Sequence, residues 1–150
     1  MKTKIPPPIL LVLTGAVMWL VAHSPFAFSY LIPYSSATAV VLVVLGVLTD
    51  VLSILQFRSA ETTVNPLKPE AATALVRTGI FKRSRNPMYV GLLLILTGWM
   101  VWLGSLSNVL VLLVFFLLIT ELQIKPEEVA LRRLFGHEYD DYCRQVRRWV

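Results

Sequence analysis

The sequence predicts an all-α, polytopic integral membrane protein with four transmembrane helices and a cytoplasmic C-terminal helical segment. Its hydrophobic fraction is 56% and its charged fraction is 15%, whereas soluble domains carry roughly 25% charged residues. Four apolar runs come close to the length of about 20 residues that a spanning helix needs. The basic residues all fall on one side of these runs. With 150 residues, the chain is expected to form a single domain.

The predicted spans cover residues 7–22, 36–57, 87–103 and 106–124. Prolines open the first span, which a first helical turn tolerates because its N–H groups have no intrahelical acceptor. A signal peptide is the alternative for this run, but three consecutive prolines and Trp19 favour a retained helix. Only Gly104 and Ser105 separate the third span from the fourth, and this short connection predicts an antiparallel hairpin.

The distribution of lysine and arginine predicts the orientation of the spans. Two basic residues precede the first span, six lie between the second and third, and six follow the fourth, which accounts for all 14. Because cytoplasmic segments are enriched in these residues, both termini and the long middle loop are predicted to face the cytoplasm. The small size and the lack of a sorting signal favour the inner membrane of a prokaryote.

The net charge of +5 is explained mostly by this topology. Basic residues at the membrane surface attract anionic lipid head groups, so membrane lipids are expected partners. No basic stretch is interleaved with aromatic residues in the pattern of a nucleic-acid-binding surface, and no nucleic-acid partner is predicted. The residue pattern also predicts no metal site. The oligomeric state stays open.

The loop 58–87 contains a helix-start signal next to a group of arginines. Asn86 is predicted to cap the third span, and Pro87 to be its first helical residue. Arg83 and Arg85 come directly before them. A helix N-terminus with neighbouring arginines suits an anion. The alternative is a capped span whose arginines hold lipid phosphates, and the residues by themselves leave both open.

The tail 121–150 contains two adjacent acids near an apolar stripe. Pro126 predicts the start of a new helix, with Glu127 and Glu128 in its first turn and Gly136 at its end. Glu127 shares a face with the apolar residues Leu131, Leu134 and Phe135. Acids on a buried face are costly unless they bind something cationic. Acids in a first turn also favour the helix dipole, so this second explanation stays open.

Two stretches carry a family resemblance. Residues 79–91 resemble the signature Gly-Pro-Tyr-x-x-x-Arg-His/Asn-Pro-x-Tyr-x-Gly of the isoprenylcysteine carboxyl methyltransferase family, part of which related phospholipid methyltransferases share. The tail resembles the family's second element, two glutamates followed by spaced Leu, Phe-Gly and Tyr positions and then a basic residue with tryptophan. The matching positions are Glu127, Glu128, Leu131, Phe135, Gly136, Tyr139, Tyr142, Arg148 and Trp149. The resemblance covers about residues 60–150.

The resemblance implies an integral membrane S-adenosylmethionine-dependent methyltransferase that acts on a lipophilic acceptor at the cytoplasmic membrane face. Residues 1–150 would then form one methyltransferase domain, with the catalytic elements in about residues 60–150. The cofactor-binding positions that the motifs imply are Gly79, Arg85, Asn86, Tyr89, Gly91, Glu127, Glu128 and Tyr139. The catalytic positions that they imply are Arg85, Glu128 and Arg148.

The chain departs from the family pattern at two positions of the first motif, and a third differs from the eukaryotic members. Ile80 replaces the usual proline, Phe81 the usual tyrosine, and Asn86 stands where the eukaryotic enzymes have histidine. These changes, and the lack of the extra spans of larger members, weaken the case for a prenylated protein as substrate. No histidine stands out as a dedicated base, which favours a carboxylate or thiol acceptor over an amine.

Asp50 supports a different class of protein. An ionisable residue inside a span is by default a functional candidate, and Asp50 is expected to face a neighbouring helix or a pocket. A small cation–proton transporter, or a non-catalytic membrane subunit, would use this residue but would have short loops throughout. The long loop and the structured tail argue against it. A membrane reductase is a further alternative, and the identity of the acceptor stays open.

Overall fold

The computed structural model describes residues 6–25, 27–30, 35–63 and 69–150. Within these ranges the chain is helical, as predicted, and contains no strand; Ser29 and Ser105 form an isolated β-bridge. The α-helices are α1 (Pro7–Ala22), α2 (Ser35–Ser59), α3 (Pro87–Leu103), α4 (Asn108–Ile119), α5 (Lys125–Phe135) and α6 (His137–Gln145). Two helices, α2 and the continuous helix Asn108–Phe135, are long and apolar enough to cross a membrane, whereas α1 and α3 are shorter apolar helices.

Pro126 lies in the first turn of α5, as predicted, but α5 is not a separate helix. A π-helical segment, Thr120–Ile124, joins α4 to α5, and together they make one helix of 28 residues. A proline inside a helix removes an N–H donor and crowds the carbonyl four residues earlier, and a locally widened π turn relieves that conflict. The apolar part of this helix ends at Ile124. The polar residues from Lys125 onward therefore extend beyond the apolar segment.

The closest helix pair is α2 and α3, which meet through glycines. A Cβ atom at Gly46 would lie 2.7 Å from the carbonyl oxygen of Gly91, and one at Gly98 would lie 2.8 Å from the carbonyl oxygen of Ala39. Small residues allow such close backbone approach between membrane helices. Asp50 of α2 contacts Gly91, and its Oδ1 atom is buried without a hydrogen-bond partner in the described part of the chain. Asp50 therefore faces a neighbouring helix, as predicted.

The other side of α3 packs against α1 and α4. Met18, Leu96, Phe115 and Ile119 form the centre of this core and are almost fully buried. The indole Nε1 of Trp99 donates a hydrogen bond of 3.1 Å to the carbonyl oxygen of Gly15, which joins α3 to α1. The connection between α3 and α4 is short, as predicted, so these two helices form a hairpin.

The tail folds back toward the start of α3. α5 ends before Gly136, where the predicted break occurs with φ +52°, and α6 follows directly. Tyr139 and Tyr142 of α6 are buried and form a second, smaller core with Val146. The Tyr142 hydroxyl donates a hydrogen bond of 2.7 Å to the carbonyl oxygen of Phe81. These contacts hold the tail against the loop that precedes α3.

Candidate functional site

A cavity lies where the start of α3 meets α5, α6 and the loop between α2 and α3. Its volume is about 130 Å³, and it is partly open to solvent. Much of its wall is apolar. The site residues predicted from the sequence that line it are Arg85, Asn86, Tyr89, Glu127, Glu128 and Tyr139. The fold thus brings together residues from two motifs that are distant in the sequence.

Glu128 is held between two arginines. Arg148 pairs with it in a bidentate manner, from Nε to Oε1 at 2.9 Å and from Nη2 to Oε2 at 2.8 Å. Arg85 approaches the same carboxylate, with 3.1 Å between its Nη2 and Oε1. Bidentate, charge-assisted pairs are among the stronger hydrogen bonds in proteins. Because two guanidinium groups share one carboxylate, this cluster carries a net positive charge beside the cavity.

Glu127 has a different environment from its neighbour. The Tyr89 hydroxyl donates a hydrogen bond of 2.5 Å to Glu127 Oε1. Glu127 lies beyond the apolar segment of its helix, and burial raises the pKa of its carboxyl to about 8, although the hydrogen bond from Tyr89 lowers it and the charge of Glu128 raises it further. The adjacent glutamates therefore differ in environment, because Glu128 is paired with two arginines and Glu127 is hydrogen-bonded to Tyr89.

Arg85 also has a free donor. Its Nη1 donates to the Sγ atom of Cys143, and its backbone N–H donates a 3.0 Å hydrogen bond to the carbonyl oxygen of Arg147. Its Nε–H is buried and has no hydrogen-bond partner among the residues that the structure describes. An unpaired buried guanidinium N–H is costly. An anion in the cavity, which Arg85 lines, would remove that cost.

Asn86 occupies the predicted cap position, but its side chain does not cap the helix. α3 begins at Pro87, and Asn86 makes no side-chain capping hydrogen bond. Its Nδ2 instead donates a 2.9 Å hydrogen bond to the carbonyl oxygen of Arg148. The predicted side-chain cap is therefore wrong, and the amide is oriented by the carbonyl of the returning tail to which its Nδ2 donates. Asn86 holds the tail near the cavity instead.

Gly79 and Gly91 are not among the residues that line the cavity. Gly79 has φ +53°, and a Cβ there would lie 1.7 Å from Nε2 of Gln56. Gly91 lies against Asp50, as described above. Both glycines allow α2 to pack closely on the parts of the chain that surround the cavity. Their contact with a cofactor stays a prediction.

Arg148 is likewise absent from the cavity wall and reaches the site through Glu128. Glu121, at the end of the apolar run, forms an exposed ion pair with Lys125 and lies outside the lining. The arrangement therefore separates residues that line the cavity from residues that hold the lining side chains in place.

Much of the apolar wall could not be predicted from the sequence. It includes Phe57 at the end of α2, and Leu75 and Val76 in the loop. The rings of Phe57 and Phe81 meet edge to face, with centroids 5.1 Å apart. Apolar residues in a loop have no periodic pattern that would mark them. In the sequence, the departure from the family pattern at Phe81 is the feature that points to a residue of this wall.

The comparisons with known proteins agree with the resemblance. The profile of the phospholipid methyltransferase family matches residues 34–138. An uncharacterized protein of Haemophilus influenzae is 46% identical over 63 residues, which are 42% of this chain and 100% of that protein. Two rice proteins (Oryza sativa subsp. indica and japonica) are 30% identical over 114 residues, or 75% of this chain.

Each rice protein is described as a probable protein-S-isoprenylcysteine O-methyltransferase, and the chain spans 59% of their length. The family profile covers the cavity-forming helices α2 to α5 and most of the predicted site residues, but it ends before Tyr139 and Arg148. The match includes well over half of the chain. The predicted resemblance is therefore confirmed, and the chain belongs to the phospholipid methyltransferase family, a family of membrane methyltransferases related to the isoprenylcysteine methyltransferases.

Proposed function

We propose that the chain is an S-adenosylmethionine-dependent methyltransferase that acts on a lipophilic acceptor at the cytoplasmic membrane face. The observation that carries this proposal is the meeting of both motifs at one cavity. At this cavity Glu128 is paired with Arg85 and Arg148. Its neighbour Glu127 instead accepts a hydrogen bond from Tyr89. When bound, S-adenosylmethionine supplies a methyl group activated by its sulfonium centre.

The residues at the cavity fit the polar groups of this cofactor. The buried Nε–H of Arg85, unpaired in the described part of the chain, would donate to the cofactor carboxylate. Glu127 would accept from the ammonium group or the ribose hydroxyls. The apolar wall around Phe57 and Phe81 would take the less polar part of the ligand. Asn86, Tyr89 and Tyr139 complete the proposed binding surface. The ion pair of Glu128 with Arg148 would hold Arg85 in place at this surface.

The protein's contribution to methyl transfer would be positioning and exclusion of water. The largely apolar lining supports this, because it leaves few groups that retain water at the reacting atoms. The net positive cluster at Glu128 would favour an anionic acceptor. No histidine is among the described lining residues. These features favour a carboxylate or thiol acceptor, and the printed name of the rice relatives, an O-methyltransferase, agrees with the first.

The acceptor is proposed to be lipophilic because the cavity reaches the apolar helices. Pro7, at the start of α1, and Phe57, near the end of α2, both line it. An acceptor with an apolar tail could therefore place its polar end in the cavity while its tail stays among the helices. Asp50 does not line the cavity, and family membership favours the methyltransferase over a transporter, a reductase or a non-catalytic subunit.

We further propose four spans, a single domain and both termini in the cytoplasm of a prokaryotic inner membrane. The segregation of the 14 basic residues supports this, as does the packing of α1, α3 and α4 in one core. α1 and α3 have 16 and 17 residues. They are thus slightly short for a hydrocarbon layer of about 30 Å, and mismatch of this size is accommodated by local thinning of the bilayer.

Two cysteine variants test this orientation in a Cys143→Ser background. His137→Cys lies in α6 and Ser36→Cys at the start of α2, and both positions are exposed. A membrane-impermeant maleimide is expected to label the former only in inside-out vesicles and the latter only in right-side-out vesicles. Labelling of both variants from the same side would contradict the proposed topology.

S-Adenosylhomocysteine is expected to bind the detergent-purified protein, and its affinity is expected to rise with pH between 6 and 8. The Glu127 carboxyl has a pKa raised to about 8, so much of it is protonated at the acidic end of this range. Its ionised form would pair with the ligand ammonium, which stays protonated throughout. The dissociation constant should fall by roughly tenfold or more across the range. Isothermal titration calorimetry measures it.

Glu127→Gln is the matched variant for this titration. It keeps the size and hydrogen-bonding capacity of the side chain but cannot ionise. We expect weaker binding at pH 8, by about tenfold, and little change with pH. A folded, monodisperse parent protein that gives no binding heat would contradict the proposed cofactor. A variant with the same pH dependence as the parent would instead exclude Glu127 as the titrating group.

A further inference from the structure

The chain that follows α6, residues 146–149, has no regular secondary structure and forms a strap across the start of α3. Val146 has extended backbone angles, φ −126° and ψ 133°. The carbonyl oxygen of Arg147 accepts from the backbone N–H of Arg85. The next carbonyl, that of Arg148, accepts from Asn86 Nδ2 at 2.9 Å and from the Ser84 hydroxyl at 3.5 Å. The strap is therefore bound by the residues that immediately precede α3.

Trp149 anchors the end of this strap on a different helix. Its ring stacks on Phe116 of α4, with centroids 4.7 Å apart and an interplanar angle of 29°. It also packs against the main core, which contains Phe115 and Ile119. An indole buries a large apolar area and has few rotatable bonds, so it makes an effective anchor. The anchor lies in the apolar part of the long helix, before the π-helical segment.

Arg148 lies between the two attachments and projects its guanidinium group to α5. There it forms the bidentate pair with Glu128. The side chain of Arg148 is 36% exposed, whereas those of Glu128 and Arg85 are both 13% exposed. A partly exposed arginine gains little from an ion pair unless its geometry is fixed in advance, because the long side chain loses rotamer freedom. The strap supplies that fixed geometry.

We propose that Trp149 and Arg148 are positioning residues for the methyl-donor site, and that they act through Glu128, which in turn orients Arg85. This inference rests on the proposed function. Docking of Trp149 on α4 sets the position of Arg148, which holds Glu128. Glu128 then fixes the Nη2 end of Arg85, a residue that lines the cavity and whose buried Nε–H has no partner in the described part of the chain.

A division of roles between the adjacent glutamates follows. Glu128 is occupied by two arginines, and Glu127 is left to interact with the cationic or hydroxyl groups of the donor. The strap residues would thus affect donor affinity without touching the donor. Arg148 and Trp149 are both absent from the cavity wall. A purely structural role for Trp149 predicts instead a loss of stability with unchanged affinity in the protein that remains folded.

The test is a double-mutant cycle on S-adenosylhomocysteine affinity, read alongside thermal unfolding. Trp149→Ala and Arg148→Ala are each expected to raise the dissociation constant about tenfold. The double variant should be no weaker than the weaker single variant, because both act through the same ion pair. Trp149→Phe, which retains a stacking ring, should stay within about threefold of the parent. Trp102→Ala, at an exposed position near the turn between α3 and α4, serves as the matched control and should bind like the parent.

Unchanged affinity in folded Trp149→Ala would overturn the inference, as would losses that multiply to about a hundredfold in the double variant. If Trp149→Ala does not fold, Trp149→Leu keeps apolar volume without the ring and has the same expected result. A parent that binds S-adenosylhomocysteine while the strap variants bind equally well contradicts only the inference. A parent that does not bind at all contradicts the proposed function itself, and the inference with it.

Discussion

Gly91→Ala is expected to destabilise the protein by about 1–3 kcal/mol, because added atoms in a close-packed contact force side chains or backbone to move. A Cβ at Gly91 would lie 2.1 Å from Asp50 Oδ1 and 2.8 Å from the carbonyl oxygen of Gly46. The carboxylate can rotate away, but the backbone carbonyl of α2 cannot. The two helices would therefore separate. Thermal unfolding in detergent, followed by circular dichroism, measures the effect.

Gly15→Ala is the matched control. Gly15 is also a helical glycine in an apolar helix, but a Cβ there would meet no atom within 4 Å. Alanine favours a helix over glycine by about 1 kcal/mol, so this variant should be as stable as the parent or slightly more so. Equal stability of Gly91→Ala and Gly15→Ala would show that α2 and α3 are not held at the distance described.

Arg85→Ala is expected to weaken S-adenosylhomocysteine binding by about a hundredfold. This variant removes the buried, unpaired N–H of a residue that lines the cavity, and it also removes one of the two arginines on Glu128. Hydrogen bonds to charged groups contribute about 1.5–3 kcal/mol each, and a hundredfold loss corresponds to about 2.7 kcal/mol. Calorimetric titration with the folded variant measures the change.

Two further variants, Arg85→Lys and Arg83→Ala, show whether binding depends on the donor geometry of Arg85 or only on positive charge in this region. Lysine keeps the charge at position 85 but lacks the planar fork of donors, so we expect only partial recovery, to about tenfold weaker than the parent. Arg83 lies two residues away and is exposed, so Arg83→Ala should bind within about twofold of the parent. Equal losses in Arg83→Ala and Arg85→Ala would mean that general positive charge, not the position of Arg85, supports binding.

Sequence features that act on near neighbours predict the local structure correctly. The starts of α1 and α3 and the end of α3 match their prediction, since proline at a helix start and glycine after a helix end act within one turn. The break at Gly136 follows the same rule. Pro126 behaves differently, because it lies inside a longer continuous helix. Its helix was already formed on the N-terminal side, and a π-helical segment absorbed the proline where a free chain would have started a new helix.

The sequence by itself determined the helical class, the position of most helix ends, the family and the two motifs that meet at the cavity. Only the tertiary structure decided how the motif residues divide their roles. Asn86 binds a carbonyl of the tail instead of capping α3, and Glu128 is shared by Arg85 and Arg148 while Glu127 pairs with Tyr89. Each of these side chains could form hydrogen bonds or ion pairs of similar strength with several partners. The periodicity of the sequence predicts which helix face a residue occupies, but it does not predict which partner lies opposite that face. That choice depends on where the strap and the loop return in space, and it is made by the packing of the whole chain.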